Sequence, residues 1–315
     1  MKVAVIGNGN VGMAVFRELQ KLREINELVL VGRNQEKLQA ELMDFRDAQV
    51  LSPTATYGKV SCGGYDTTEG ADIIIYAAGV GRKPGQSRLE LAGANVSIAS
   101  DIFREVMKVN HDAIIVVLSN PVDVLTAVIR EVTGFPRERV IGSGTLLDTA
   151  RLVAEISSIL DISPSSINGL MLGEHGNSSC VIWSAVRIIG MPLNDYFAFE
   201  TGSDMGISKD KLSSFVRAVG GKIIGAKGYT AYGVAAAAAK IVSGIANNTK
   251  DIYPLSIQLD GELDYKRVAV SVPCLLGREG IIRIVPIHMT PEEWDGFHKS
   301  VAVVREITDP ILESL

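Results

Sequence analysis

Apolar positions in the first half of the chain fall into two alternating spacings. Val3–Ile6, Leu28–Val31, Asp72–Tyr76 and Ala113–Leu118 are short, mostly apolar runs bounded by Gly, Asn or Asp. That length and continuity predict strands buried on both faces. Between them, Val11–Arg23 and Gln35–Val50 carry apolar residues at helical spacing, as at Leu38, Leu42 and Phe45. Strand alternating with helix predicts parallel strands joined by crossover helices. The second half reads differently. Thr145–Leu160, Lys209–Ala226 and the alanine-rich Val234–Ile245 predict helices, Lys266–Val272 and Ile281–Ile287 antiparallel strands, and Pro291–Leu315 a closing helix. The expected fold class is α/β, a parallel sheet followed by an α+β domain. The boundary falls at Gly142–Gly144, giving units of residues 1–143 and 144–315.

Composition narrows the function classes. With 31 Lys plus Arg against 36 Asp plus Glu, the net charge is −5, which argues against a nucleic-acid groove. No apolar run has the length of a membrane span, and the first strand runs directly into a glycine turn rather than a cleavage site. The three cysteines, Cys62, Cys180 and Cys274, are odd in number and widely spaced, so neither a disulfide framework nor a zinc site is expected. A cytoplasmic protein without a metal is the expectation.

Chemistry enters at Gly7-Asn8-Gly9-Asn10-Val11-Gly12, directly after the first strand and at the opening of the first helix. Glycines there allow a tight turn and close backbone approach to a pyrophosphate, which the free N–H groups of the helix start can bind. Gly7, Gly9, Asn10, Val11 and Gly12 are therefore candidate cofactor-binding residues. At the end of the second strand, where an NAD-binding unit usually carries Asp or Glu for the adenosine ribose, stand Gly32, Arg33 and Asn34. The missing carboxylate and adjacent guanidinium point to NADP as well as NAD; the alternative is a solvated Arg33, with Asn34 or backbone serving NAD.

Of four histidines, His175 stands apart between glycines in Leu172-Gly173-Glu174-His175-Gly176-Asn177. Asp148 and Arg151, three residues apart, share a helix face, although Thr145-x-x-Asp148 also fits a capping box. Arg82 and Arg88 lie in a Gly/Pro loop after the Asp72–Tyr76 strand, a carboxyl strand end of the kind that faces ligands.

These segments, with Gly79–Arg88, Ser119-Asn120-Pro121-Val122-Asp123, Gly134-Phe135-Pro136 and Lys227-Gly228-Tyr229-Thr230, resemble the L-lactate/malate dehydrogenase family along essentially the whole chain. The resemblance implies a Rossmann-type domain joined to a catalytic domain, in homodimers or homotetramers acting on a small 2-oxo or 2-hydroxy acid. It implies that His175 is the acid/base group, that Asp148 orients it, that Arg151 clamps the substrate carboxylate, and that Arg88 polarises the reacting carbonyl. Asn120 and Thr230 would contact substrate; Gly79, Asn95, Ser119 and Asn120 would contact the cofactor.

Within the family, the residue six before the carbonyl-polarising arginine faces the substrate side chain, and malate-type enzymes have arginine there. Arg82 therefore favours malate/oxaloacetate, although several other segments look more like bacterial lactate and branched 2-hydroxy acid dehydrogenases. Val153 and Asn168 stand where enzymes activated by fructose 1,6-bisphosphate carry Arg and His, so no such site is expected. Competing readings are a nucleotide-binding sensor, a structural protein recruited from a dehydrogenase, and a metal-dependent glycosidase on a related fold.

Overall fold

The computed structural model describes residues 1–52, 58–81, 88–201 and 208–315; the side chains of residues 88, 89, 200 and 201 are outside the description. In chain order the first half comprises β1 (Lys2–Ile6), α1 (Asn10–Leu19), β2 (Glu27–Val31), α2 (Gln35–Leu51), β3 (Lys59–Gly63), β4 (Ile73–Tyr76), α3 (Arg88–Val106), β5 (Ile114–Val117), α4 (Val122–Thr133) and β6 (Val140–Gly142). Next come α5 (Leu146–Leu160) and five two-residue strands: β7 (Ile167–Asn168), β8 (Met171–Leu172), β9 (Cys180–Val181), β10 (Arg187–Ile188) and β11 (Met191–Pro192). The remainder is α6 (Leu193–Thr201), α7 (Lys209–Lys227), α8 (Tyr232–Asn247), β12 (Ile252–Asp260), β13 (Lys266–Gly277), β14 (Gly280–Ile284) and α9 (Pro291–Ser314).

Among the described residues the main sheet has nine strands in the order β14-β13-β12-β6-β5-β4-β1-β2-β3. Strands β1 to β6 pair in parallel, with β1 flanked by β2 and β4, so the strand order reverses beside β1. This doubly wound order opens a crevice at the carboxyl ends of β1 and β4. Successive residues of β1 face opposite sides: Val3 and Val5 pack with Val15, Phe16 and Leu19 of α1, while Ala4 and Ile6 pack with the buried faces of α3 and α4. Both faces being covered explains why the strand reads as an unbroken apolar run.

The structure adds elements to those that the sequence predicts. β3 was not anticipated: Lys-Val-Ser-Cys-Gly is an edge strand with few apolar residues to announce it. β12 was also missed, and it pairs with β6 through Ser256 and Gly142. Through that pairing β12, β13 and β14 extend the first sheet in antiparallel sense, and the sheet runs continuously across residues 143 and 144. The alanines of α8 permit close packing on α1 within the chain.

Candidate active site

The glycine turn is shaped by steric need. Gly7 has φ +116°, and a Cβ on it would lie 2.8 Å from the Ala77 carbonyl; a Cβ on Gly12 would lie 1.8 Å from the Gly7 oxygen. Gly9, by contrast, faces open space and begins α1 without a side-chain cap or an acidic residue in its first turn. The α1 N–H groups therefore remain available to an anion. They open onto a groove of roughly 530 Å³ whose lining includes Gly7, Asn8, Gly9, Gly32, Arg33 and Gly79. A narrow slot lined by backbone amides and glycine fits a dinucleotide.

At the far corner of this groove stand Gly32 and Arg33, with no carboxylate at the position after β2. Two further groups there went unnoticed in the sequence. Lys37 Nζ donates to the Asn8 carbonyl at 3.0 Å, bringing a second cation to the corner, and the Asn8 amide nitrogen is buried without a partner. Asp101 and Glu105 also line the groove from α3, but they pair with Arg104 and Lys108. Asn34 spends its side chain capping α2, accepting from Lys37 N at 3.0 Å.

Asn95 and Ser119 take structural positions. Asn95 is buried; its amide donates to the carbonyls of Val80 and Asn120 and its oxygen accepts from Val80 N. These three bonds go to backbone and tie the segments after β4 and β5 together. Ser119 Oγ likewise donates to the Ala78 carbonyl at 2.6 Å. Asn10 and Val11 form the first turn of α1.

A second cavity of about 90 Å³ is lined by Asn120, Arg151, His175 and Thr230 together with Leu118, Leu147, Ile224, Val234 and Ala237. Its polar floor is one network. His175 Nδ1 lies 2.6 Å from Asp148 Oδ2, and Arg151 donates to Asp148 Oδ1 at 3.0 Å. The Thr145 hydroxyl donates to the Met171 carbonyl rather than capping α5, so Asp148 is engaged with His175 and Arg151 and the capping-box alternative does not hold. The loop carrying His175 is pinned where Gly173, at φ +89°, exchanges backbone hydrogen bonds with Ser271 of β13.

Electrostatics follow from this geometry. Burial pushes the His175 pKa down, but the Asp148 charge and hydrogen bond, helped by Asp123, outweigh it and raise the pKa to about 9. Burial likewise works to raise the Asp148 pKa, yet His175 and Arg151 hold it below the ordinary aspartate value. The balance favours the protonated ring, beside the Arg151 guanidinium and an aliphatic wall.

Residues 82–87 lie outside the described residues, and so does the placement of Arg82; Arg88 begins α3, but its side chain is also outside the description. No group of three or more His, Cys, Asp or Glu suited to a metal occurs among the described residues, and no described helix is long and apolar enough to cross a membrane.

Residues 1–142 match the family model for the lactate/malate dehydrogenase NAD-binding domain, and residues 145–314 match that for the lactate/malate dehydrogenase alpha/beta C-terminal domain. The chain belongs to the lactate/malate dehydrogenase family. It is an oxidoreductase of the 2-hydroxy acid dehydrogenase type. An L-lactate dehydrogenase of Lactococcus lactis subsp. cremoris is 37% identical over 311 residues, covering 98% of both chains. L-lactate dehydrogenase 2 of Staphylococcus aureus is 35% identical, covering 98% of this chain and 96% of that one. Among solved structures, the minor L-lactate dehydrogenase of Enterococcus mundtii superposes with a TM-score of 0.90 at 34% identity, covering 98% of each chain. The dehydrogenase relationship displaces the sensor and glycosidase readings. The relatives' names favour the lactate alternative over the malate pairing that Arg82 favours.

Proposed function

We propose that this protein catalyses reversible hydride transfer between a nicotinamide dinucleotide and an L-2-hydroxy acid/2-oxo acid pair, with L-lactate and pyruvate as the preferred pair. The supporting observation is the second cavity: among the described residues its lining holds one acid–base imidazole and one guanidinium, with Leu118, Leu147, Ile224, Val234 and Ala237 forming an aliphatic wall. Among the described residues such a pocket has one guanidinium for one carboxylate and apolar surface for a methyl group.

In this reading Arg151 pairs with the substrate C1 carboxylate and fixes its orientation. His175 gives its proton to the carbonyl oxygen during reduction and removes the hydroxyl proton in the reverse direction. Asp148 holds the ring by its Nδ1 and stabilises the imidazolium, leaving Nε2 for substrate. Asn120 and Thr230 add polar contacts at the cavity wall. Arg88, at the start of α3, is the candidate for polarising the carbonyl. A bound nicotinamide supplies or accepts the hydride.

Relative kcat/KM values for pyruvate, oxaloacetate and 2-ketoisocaproate test the substrate. Pyruvate should lead, and Arg82→Gln should widen its margin over oxaloacetate. If Arg82 does line the closed pocket, oxaloacetate would instead gain a charge pair worth about 2–5 kcal/mol, or roughly 30-fold and upward. A wild-type preference for oxaloacetate of that size sinks the lactate reading and installs malate.

The cofactor is proposed to include NADP(H). Arg33, Lys37 and the absent carboxylate at Gly32 together make a corner suited to a 2′-phosphate. Hydrogen bonds to a charged group contribute about 1.5–3 kcal/mol, so Arg33→Gln should raise the KM for NADPH roughly 10- to 100-fold. The KM for NADH should change only a few-fold. An equal loss with both cofactors would assign Arg33 to the shared adenosine and remove the phosphate site.

A further inference from the structure

Asp123 lies in the first turn of α4, three residues after Asn120, which lines the cavity. It is 3% exposed, and its Oδ2 accepts the backbone N–H of His175 at 2.8 Å, across 52 residues of sequence. Its other oxygen, Oδ1, is buried as well, facing the hydroxyl of the fully buried Ser256 on β12. A carboxylate this deeply buried is costly, and nothing in the catalytic scheme above uses it. Had the backbone N–H of His175 been the sole requirement, a neutral acceptor would serve at lower cost. What a carboxylate adds is charge.

We propose that Asp123 is a positioning residue for His175, anchoring the backbone of the acid–base residue and placing a second negative charge beside its ring. Among the described residues, the charged groups facing the ring are Asp148 and Arg151 from α5 and Asp123 from α4. Those facing the Asp123 carboxyl are His175 and Glu174 from the pinned loop, with the Ser256 hydroxyl on the sheet side. The N-terminal turn of α4 favours the anion. Burial nonetheless pushes the Asp123 pKa up to about 6, which brings its titration close to neutral pH.

The inference rests on His175 being the acid–base group. Oxo-acid reduction consumes the ring proton, so kcat/KM falls as pH rises through the His175 pKa. Asp123→Asn keeps an oxygen for the His175 N–H but removes the charge. Its alkaline midpoint should move down by roughly half to one pH unit, with kcat at pH 7 within a few-fold of wild type. Asp123→Ala should show the same displacement together with a loss of roughly tenfold or more in kcat and little change in the KM for pyruvate. A midpoint that stays in place in Asp123→Asn overturns the proposal, because a purely structural carboxylate has no effect on the pH profile.

Should the variants not fold, wild-type protein carries the test. The His175 ring resonance, followed by NMR against pH, should show a second inflection near 6 as Asp123 gains its proton. A single inflection would overturn the proposal. Failure of the acid–base reading itself is separable, since it would leave turnover intact in a His175→Asn enzyme.

Discussion

His175→Asn should lower kcat by about 10²–10⁴-fold in both directions, the range supplied by a positioned proton donor. Asparagine can still hydrogen-bond the substrate oxygen, but it cannot transfer a proton at neutral pH. Nicotinamide cofactor binding should be nearly unchanged, because the long groove beside β1 does not include His175 among its lining residues. Single-turnover traces of nicotinamide absorbance separate the two effects. Turnover within tenfold of wild type would remove His175 from the chemistry. The wild-type pH profile has a fixed sign. With the folded pKa raised from 6.5 to about 9, the ring stays protonated through neutrality. Reduction is therefore flat across neutral pH and declines above 9, while hydroxy-acid oxidation, which needs the neutral ring, climbs through the same window. Stability is linked to the same pair. The His175 contribution is complete below about 6.5 and lost as pH rises through 9; the Asp148 contribution is lost on acidification below its ordinary value near 3.8.

Much of this architecture was readable from apolar spacing because the parallel strands are buried on both faces. Val3–Ile6, Ile73–Tyr76 and Ile114–Val117 have no polar side to obscure them. β3 escaped notice for the opposite reason, as an edge strand with an exposed lysine and a serine. The glycine turn was legible since Gly7 and Gly12 have no room for a Cβ, a constraint that only glycine satisfies. The resemblance implies that Asp148 orients His175, whereas spacing alone does not show how they meet: the Gly173 loop is held where Gly173 pairs with Ser271 on β13, and His175 then reaches Asp148 on α5.

Roles that depend on direction were harder to read. Asn95 looks like any polar residue suited to a cofactor, and only its three backbone hydrogen bonds reveal a clip between strand ends. Asp123 sits in a helix first turn, where an acid is ordinarily explained by the helix dipole, so no sequence signal pointed to the His175 N–H. Lys37 was hidden similarly, as a lysine on an ordinary surface helix. Its reach back to Asn8 follows from how the start of α2 sits against the glycine turn.

Arg151→Gln should chiefly damage substrate capture, where His175→Asn damages turnover. Losing one partner of a largely desolvated ion pair costs about 3–5 kcal/mol, so kcat/KM for pyruvate should fall roughly 10²- to 10³-fold or more. Most of this should appear in KM. A second consequence distinguishes a carboxylate clamp from a residue that merely braces Asp148. The Arg151 charge works against the imidazolium, so removing it raises the His175 pKa, and the alkaline midpoint for reduction moves up. That displacement is opposite in sign to the one expected for Asp123→Asn. Arg151→Lys preserves the charge but not the two-pronged fork, and should keep the midpoint while still losing affinity. If Arg151 only braced Asp148, with which it shares a 3.0 Å hydrogen bond, Arg151→Gln would instead reduce kcat with KM nearly unchanged. Initial-rate kinetics across pH with these two variants decide between a clamp and a brace: the first requires a KM effect common to both, the second a kcat effect confined to loss of the Asp148 contact.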